Sequence, residues 1–204
     1  MIMEAFLTNK DRNKIRKAIR KKYKKVATNP TDLFAYPTGR AGLEALHYSS
    51  ELINALPEAV TNSYCGVGDP FVLGPINEGE KVLDVGCGSG VDAIFAAMMT
   101  GPSGQVVGVD LAPEMLRRAR ENLSLTDLKN IIFDEALADN LPVADQDFDV
   151  VISNGAFNLV PDKSRALSEA FRVLRPGGRL MVADQVLIGE LPKEKKQIIK
   201  SWHQ

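Results

Sequence analysis

The stretch Val82-Leu83-Asp84-Val85-Gly86-Cys87-Gly88-Ser89-Gly90 decides the fold. Its first half is short and apolar, the pattern of a strand buried on both faces, and it runs into three glycines at alternate positions. Glycine at that spacing permits left-handed backbone and lets the main chain approach a ligand that a Cβ would push away. Residues 91–99 then read as helix. Strand, glycine turn and helix together open an α/β sheet, whose ligands sit at the carboxyl ends of the strands where strand order switches. The dinucleotide fingerprint G-x-G-x-x-G/A, aligned on Gly86 and Gly88, requires glycine or alanine at Val91 and is not met.

Outward from this unit, short apolar runs alternate with helical stretches. Strands are predicted at 81–85, 105–109, 130–133, 148–153 and 179–184, and helices at 91–99, 113–124 and 163–173, giving five strands in a doubly wound, mostly parallel α/β sheet. Pro113 and Glu114 suit a helix N-terminus, Asp162 suits an N-cap, and Pro176-Gly177-Gly178 is expected to end the last helix and turn the chain. Residues 1–79 read differently: a basic helix, a loop over 29–40, a helix over 43–55 and a second Gly/Pro-rich loop over 62–75. They are expected to form a helical and loop lid over a core spanning 80–204, with Tyr36, Gly39 and the 63–70 loop narrowing the pocket. The polar tail 191–204 is expected to be helical.

With 204 residues, 45% of them hydrophobic and 25% charged, the chain suits one sizeable core. No run of eighteen apolar residues exists and the start carries no long apolar stretch, so the expectation is a cytoplasmic protein without a membrane span. Two cysteines, Cys65 and Cys87, and two distant histidines give neither a disulfide framework nor a zinc spacing, and no metal is expected. The net charge of −1 hides ten lysines and arginines between 10 and 25 against the single Asp11. Such a run serves nucleic acid or anionic membranes in some proteins. Here Ile15, Ala18, Ile19, Tyr23 and Val26 recur at helical spacing, so a helix docked by one apolar stripe is expected, with its lysines in water and no nucleic acid as partner.

Asp84 stands two places before the Gly86, Gly88, Gly90 run, and in this the sequence resembles the class I S-adenosylmethionine-dependent methyltransferases, with their Rossmann-like fold. The resemblance implies S-adenosylmethionine as cofactor, with the glycine loop backing its methionine and ribose. It also implies that Asp110, twenty residues beyond Gly90, accepts the two ribose hydroxyls, with Leu111 beside it. Leu137-Ala138-Asp139-Asn140-Leu141-Pro142 matches the family's adenine loop; Leu137 occupies the usual acid position, so Ala138 is expected to contribute backbone contacts and Asp139 a carboxylate. Asn154 and Gly155, after the fourth strand, are expected beneath the sulfonium and the acceptor. The family adds an antiparallel hairpin after the fifth strand that is missing here, and a second copy of the chain is expected to shield the open edge.

Within that superfamily the sequence is most similar to the arsenite methyltransferase group, through Tyr36-Pro37-Thr38-Gly39-Arg40, Ser63-Tyr64-Cys65-Gly66-Val67-Gly68-Asp69-Pro70, Gly101-Pro102-Ser103-Gly104 and the run from Ser153-Asn154-Gly155 to Lys163. That group holds trivalent arsenic, a soft and thiophilic ion, with cysteine thiolates. This sequence departs from it: Gly155 replaces the cysteine after Ser-Asn, Val67 stands at the centre of Gly-Cys-Gly, and no cysteine follows Cys87. Cys65, displaced by two places, is the one candidate for a catalytic thiol. Three readings stay open: methyl transfer to a small-molecule acceptor, arsenite-like or not; a quinone-type C- or O-methyltransferase; and a non-catalytic cofactor-binding or interaction protein.

Overall fold

The computed structural model describes residues 7–186 and 188. In chain order it contains α1 (Asn9–Val26), α2 (Gly39–Ala45), α3 (Ser50–Ala55), α4 (Glu58–Thr61), a 3-10 turn (Pro70–Leu73), β1 (Lys81–Val85), α5 (Val91–Thr100), β2 (Gln105–Asp110), α6 (Pro113–Ser124), β3 (Ile131–Glu135), β4 (Phe148–Asn154), a second 3-10 turn (Phe157–Leu159), α7 (Lys163–Val173) and β5 (Leu174–Ala183). The strands form one parallel sheet in the order β3-β2-β1-β4-β5. Strand order reverses between β1 and β4, so the crevice beyond their carboxyl ends is where such a sheet takes its ligand.

Side chains alternate across the sheet and build two cores. Val82, Val106, Val150 and Ile152 pack on one face with α5 and α6, while Leu83, Val85, Val107, Val109 and Val151 pack on the other with Ala166, Ala170 and Val173 of α7. Nearly every residue of α5 is buried, which explains its run of Ala, Ile and Phe. Gly90, at φ +81°, ends the glycine turn and caps α5; a Cβ there would stand 2.7 Å from Phe133 Cζ and 3.0 Å from Ala119 Cβ.

Two expectations are corrected. The single helix over 43–55 is two helices, because His47 adopts φ +62° between them and breaks the hydrogen-bond ladder. The fifth strand starts at Leu174 rather than 179: α7 passes directly into β5, and Pro176-Gly177-Gly178 forms a bulge within the strand, where the partner of β4 jumps from Leu174 at Phe148 to Arg179 at Val150. The expected helix at 191–204 falls outside the described residues.

The basic helix docks as its apolar spacing requires. Thr8 and Asp11 form a reciprocal capping box at its start, Lys24 and Lys25 sit in its last turn, and Ile15, Ile19 and Val26 are buried beneath it. Among the described residues no helix is long and apolar enough to cross a membrane.

Candidate cofactor and acceptor site

The glycine turn is stitched to the end of β2: Gly86 and Cys87 donate their N–H groups to Val109 O at 2.8 and 3.0 Å, and Gly88 N donates to Asp110 Oδ2 at 2.9 Å. Ala112 N, at the start of α6, donates to Asp110 Oδ1 at 2.8 Å. Burial pushes the Asp110 carboxyl above its ordinary range, and these amides pull it back. A carboxylate offers about four lone-pair directions, so capping of the two turns leaves acceptor capacity for a ligand diol.

Asp84, at the end of β1, is 2% exposed and its Oδ2 has no hydrogen-bond partner among the described residues. Burial, and then the neighbouring Asp92 and Asp110, raise its proton affinity well above the usual range; one backbone amide, from Ala93, opposes them. A buried carboxylate oxygen without a partner is costly unless a ligand supplies one.

Both carboxylates open on one cavity at the switch point, about 1050 Å3 with its mouth included. Of the residues singled out in the sequence, Cys65, Asp84, Gly86, Gly88, Asp110, Leu111, Leu137, Ala138, Asn154 and Gly155 line it. Gly90 does not, because it lies behind the turn, where its missing Cβ makes room for Phe133. Asp139 lines it too, but its carboxylate already accepts a 2.6 Å hydrogen bond from Arg16 Nη2.

Also on the cavity, Asn154 gathers a buried polar cluster that the sequence reading missed. Its Oδ1 accepts from Val67 N and Gly68 N, and its Nδ2 lies 2.9 Å from Asp92 Oδ2 and 2.6 Å from Gly68 O. Tyr48 OH donates to Asp92 Oδ1 at 2.7 Å, and Tyr64 OH lies 3.1 Å from Tyr48 OH. Burial raises the Asp92 carboxyl to about 6, although its bonds to Tyr48 and Asn154 lower it. One signal was available: Asp92 is the lone charge in the otherwise apolar helix VDAIFAAMMT. Neither His47 nor Tyr36 lines the cavity; Tyr36 OH donates to Cys65 O at 3.2 Å.

The thiol positions are equally definite. Burial, then Asp110 and Asp92, push the Cys65 thiol up to about 12, with Lys22 opposing, so it is protonated at neutral pH. Cys87 is buried in the glycine turn and raised as well. Gly155 sits at φ +68°, where a Cβ would stand 3.3 Å from Val67 Cγ2, so the side chain of Val67 closes the space in front of it.

The residues fit S-adenosylmethionine. The open oxygen of Asp84 suits a cationic group, Asp110 suits the ribose diol, the glycine turn admits close approach, and the cavity is large enough. Among the described residues there is no cluster of three or more His, Cys, Asp or Glu able to hold a metal ion.

Comparison with known proteins gives the same answer. An arsenite methyltransferase of Halobacterium salinarum is 34% identical over 94% of this chain and 52% of its own length. The ubiquinone/menaquinone biosynthesis C-methyltransferase of Pasteurella multocida is 41% identical over 53% of this chain and 41% of its own length. The crystal structure of an arsenic(III) S-adenosylmethionine methyltransferase from Chlamydomonas reinhardtii superposes with a TM-score of 0.56 at 35% identity, covering 72% of this chain and 49% of that one. The chain spans about half the length of the arsenite methyltransferases it matches. A family model for the methyltransferase domain matches residues 76–204, and the chain belongs to that family.

Proposed function

We propose that the chain transfers a methyl group from S-adenosylmethionine to a small-molecule acceptor. The observation that carries this reading is the unpartnered Oδ2 of Asp84, buried on a cavity that Asp110 also lines. When bound, the cofactor supplies an electrophilic methyl on a sulfonium that leaves as a neutral thioether. The protein's part is positioning: Asp110, Asp84 and the glycine turn hold the cofactor, and Asn154 with the 66–68 backbone shapes the space for the incoming nucleophile. Asp92, with a proton affinity near neutrality, takes the proton of a protic acceptor.

Val67 packed against Gly155, and a Cys65 thiol held protonated, favour an acceptor that needs no thiolate cage, a carbon or oxygen nucleophile of the quinone type. The arsenite reading keeps Cys65 as its single sulfur ligand and takes support from a likeness to an arsenite methyltransferase that covers 94% of this chain and 52% of that protein. Calorimetric titration of S-adenosylmethionine into the chain tests the shared premise, with Asp110→Ala as control. Micromolar binding lost in the variant is expected, and an acceptor screen including arsenite with thiol then separates the two readings. A folded wild-type chain that binds nothing sinks the proposal.

A further inference from the structure

Arg12, Arg16, Arg20 and Lys24 recur at every fourth residue of α1 and therefore share one face of the helix. Each meets a carboxylate from a different part of the core. Arg12 Nη1 donates to Asp162 Oδ2 at 2.7 Å and Arg16 Nη2 to Asp139 Oδ2 at 2.6 Å, while Arg20 and Lys24 stand 3.7 and 3.4 Å from Glu135 and Glu114. Asp162 caps α7, Asp139 belongs to the loop after β3, Glu135 ends β3 and Glu114 lies in the first turn of α6. The row of pairs thus runs across the carboxyl edge of the sheet. Beneath it, Arg16, Ile19 and Tyr23 form part of the cavity wall.

We infer that α1 is a latch on the cofactor site: Arg16, Ile19 and Tyr23 complete its wall, and the cofactor enters and leaves only when the row of ion pairs opens. The inference rests on the cofactor reading of the cavity. The apolar footing of α1 is two small clusters, Leu7, Ile15 and Ile19 with Leu111 and Leu159, and Val26 with Ala112 and Met115, both separate from the two main cores. An 18-residue helix is marginal on its own in water, so an element footed this lightly opens more readily than the sheet. The first two pairs, of Arg12 and Arg16, are partly shielded from solvent and carry most of the closure, and the last two, of Arg20 and Lys24, are more exposed and contribute little. Dissolved salt screens all four, the shielded pairs least.

Hydrogen exchange of the α1 amides, together with stopped-flow binding of S-adenosylhomocysteine to the full chain, tests the latch. Both are run at about 0.05 and 0.5 M sodium chloride on the wild type and on Arg12→Gln, whose side chain pairs with Asp162 and does not line the cavity. High salt and the variant are each expected to speed exchange in α1, the variant by about threefold, with the β1 amides unchanged. Association and dissociation rates are expected to rise together and leave the affinity within a few-fold, the mark of a gate rather than of lost contacts. Unchanged α1 exchange, or a rise confined to dissociation, overturns the latch. A folded wild type that binds neither S-adenosylmethionine nor S-adenosylhomocysteine overturns the functional reading and with it the cofactor's passage; α1 exchange that still responds to salt tells that failure from a failure of the latch.

Discussion

Asp84 is a residue whose stability and function pull apart. Its carboxylate is buried with one oxygen unpartnered, so in the free protein ionisation there is a cost that asparagine avoids. Asp84→Asn is therefore expected to leave thermal stability above neutral pH unchanged or raised by about 1 kcal/mol, while S-adenosylmethionine affinity falls tenfold or more. A variant that loses stability and keeps affinity contradicts this assignment. Asp92 makes a pH prediction with a definite sign. Its carboxyl is raised to about 6 in the fold from an ordinary value of 3.8. A raised acid favours the folded state fully below the unfolded value and loses that contribution as pH rises to the folded one. Between about pH 4 and pH 6 the free protein should lose about 2 kcal/mol relative to Asp92→Asn. Denaturant melts of both proteins across that range check it; parallel curves reject it.

At the level of elements, the turn between β1 and α5 is the most constrained. Gly90→Ala must place a methyl group in a left-handed residue against the Phe133 ring and Ala119, and a loss of about 2–4 kcal/mol in chemical unfolding is expected. A loss under 1 kcal/mol would mean that Phe133 swings aside freely. This turn, with Asp84 and Asp110, was legible because each signal is local: a buried run, alternating glycines, and an acid at the end of the next strand. The sheet and its three covering helices were legible for the same reason. The break between α2 and α3 was not, because His47 takes a left-handed conformation without the glycine that usually announces one. The start of β5 was missed because Pro176-Gly177-Gly178 serves equally as a helix stop and as a bulge, and only the pairing with β4 distinguishes them. The cluster of Tyr48, Asp92 and Asn154 joins residues 44 and 62 positions apart, and the pair of Arg16 with Asp139 joins residues 123 apart. No periodicity reports contacts of that range.

For the whole molecule, the cofactor is an addition to the fold as well as a reagent. A ligand that binds only the folded chain, present at a hundred times its dissociation constant, adds about 2.7 kcal/mol, which for a domain of this size raises the melting temperature by roughly 5–10 °C. Thermal melts with S-adenosylmethionine should show that rise in the wild type and none in Asp110→Ala; equal melts for both speak against the site. The ion pairs of α1 also carry a consequence in time. Arg12 and its partner Asp162 lie 150 residues apart. A ribosome adding roughly 5–20 residues per second makes the helix about 8 to 30 seconds before that partner exists. Through this interval the nascent helix displays an apolar stripe and a dense row of positive charge while part of the surface it rests on is still unmade, so an element made ahead of the sheet is among the last to find its place.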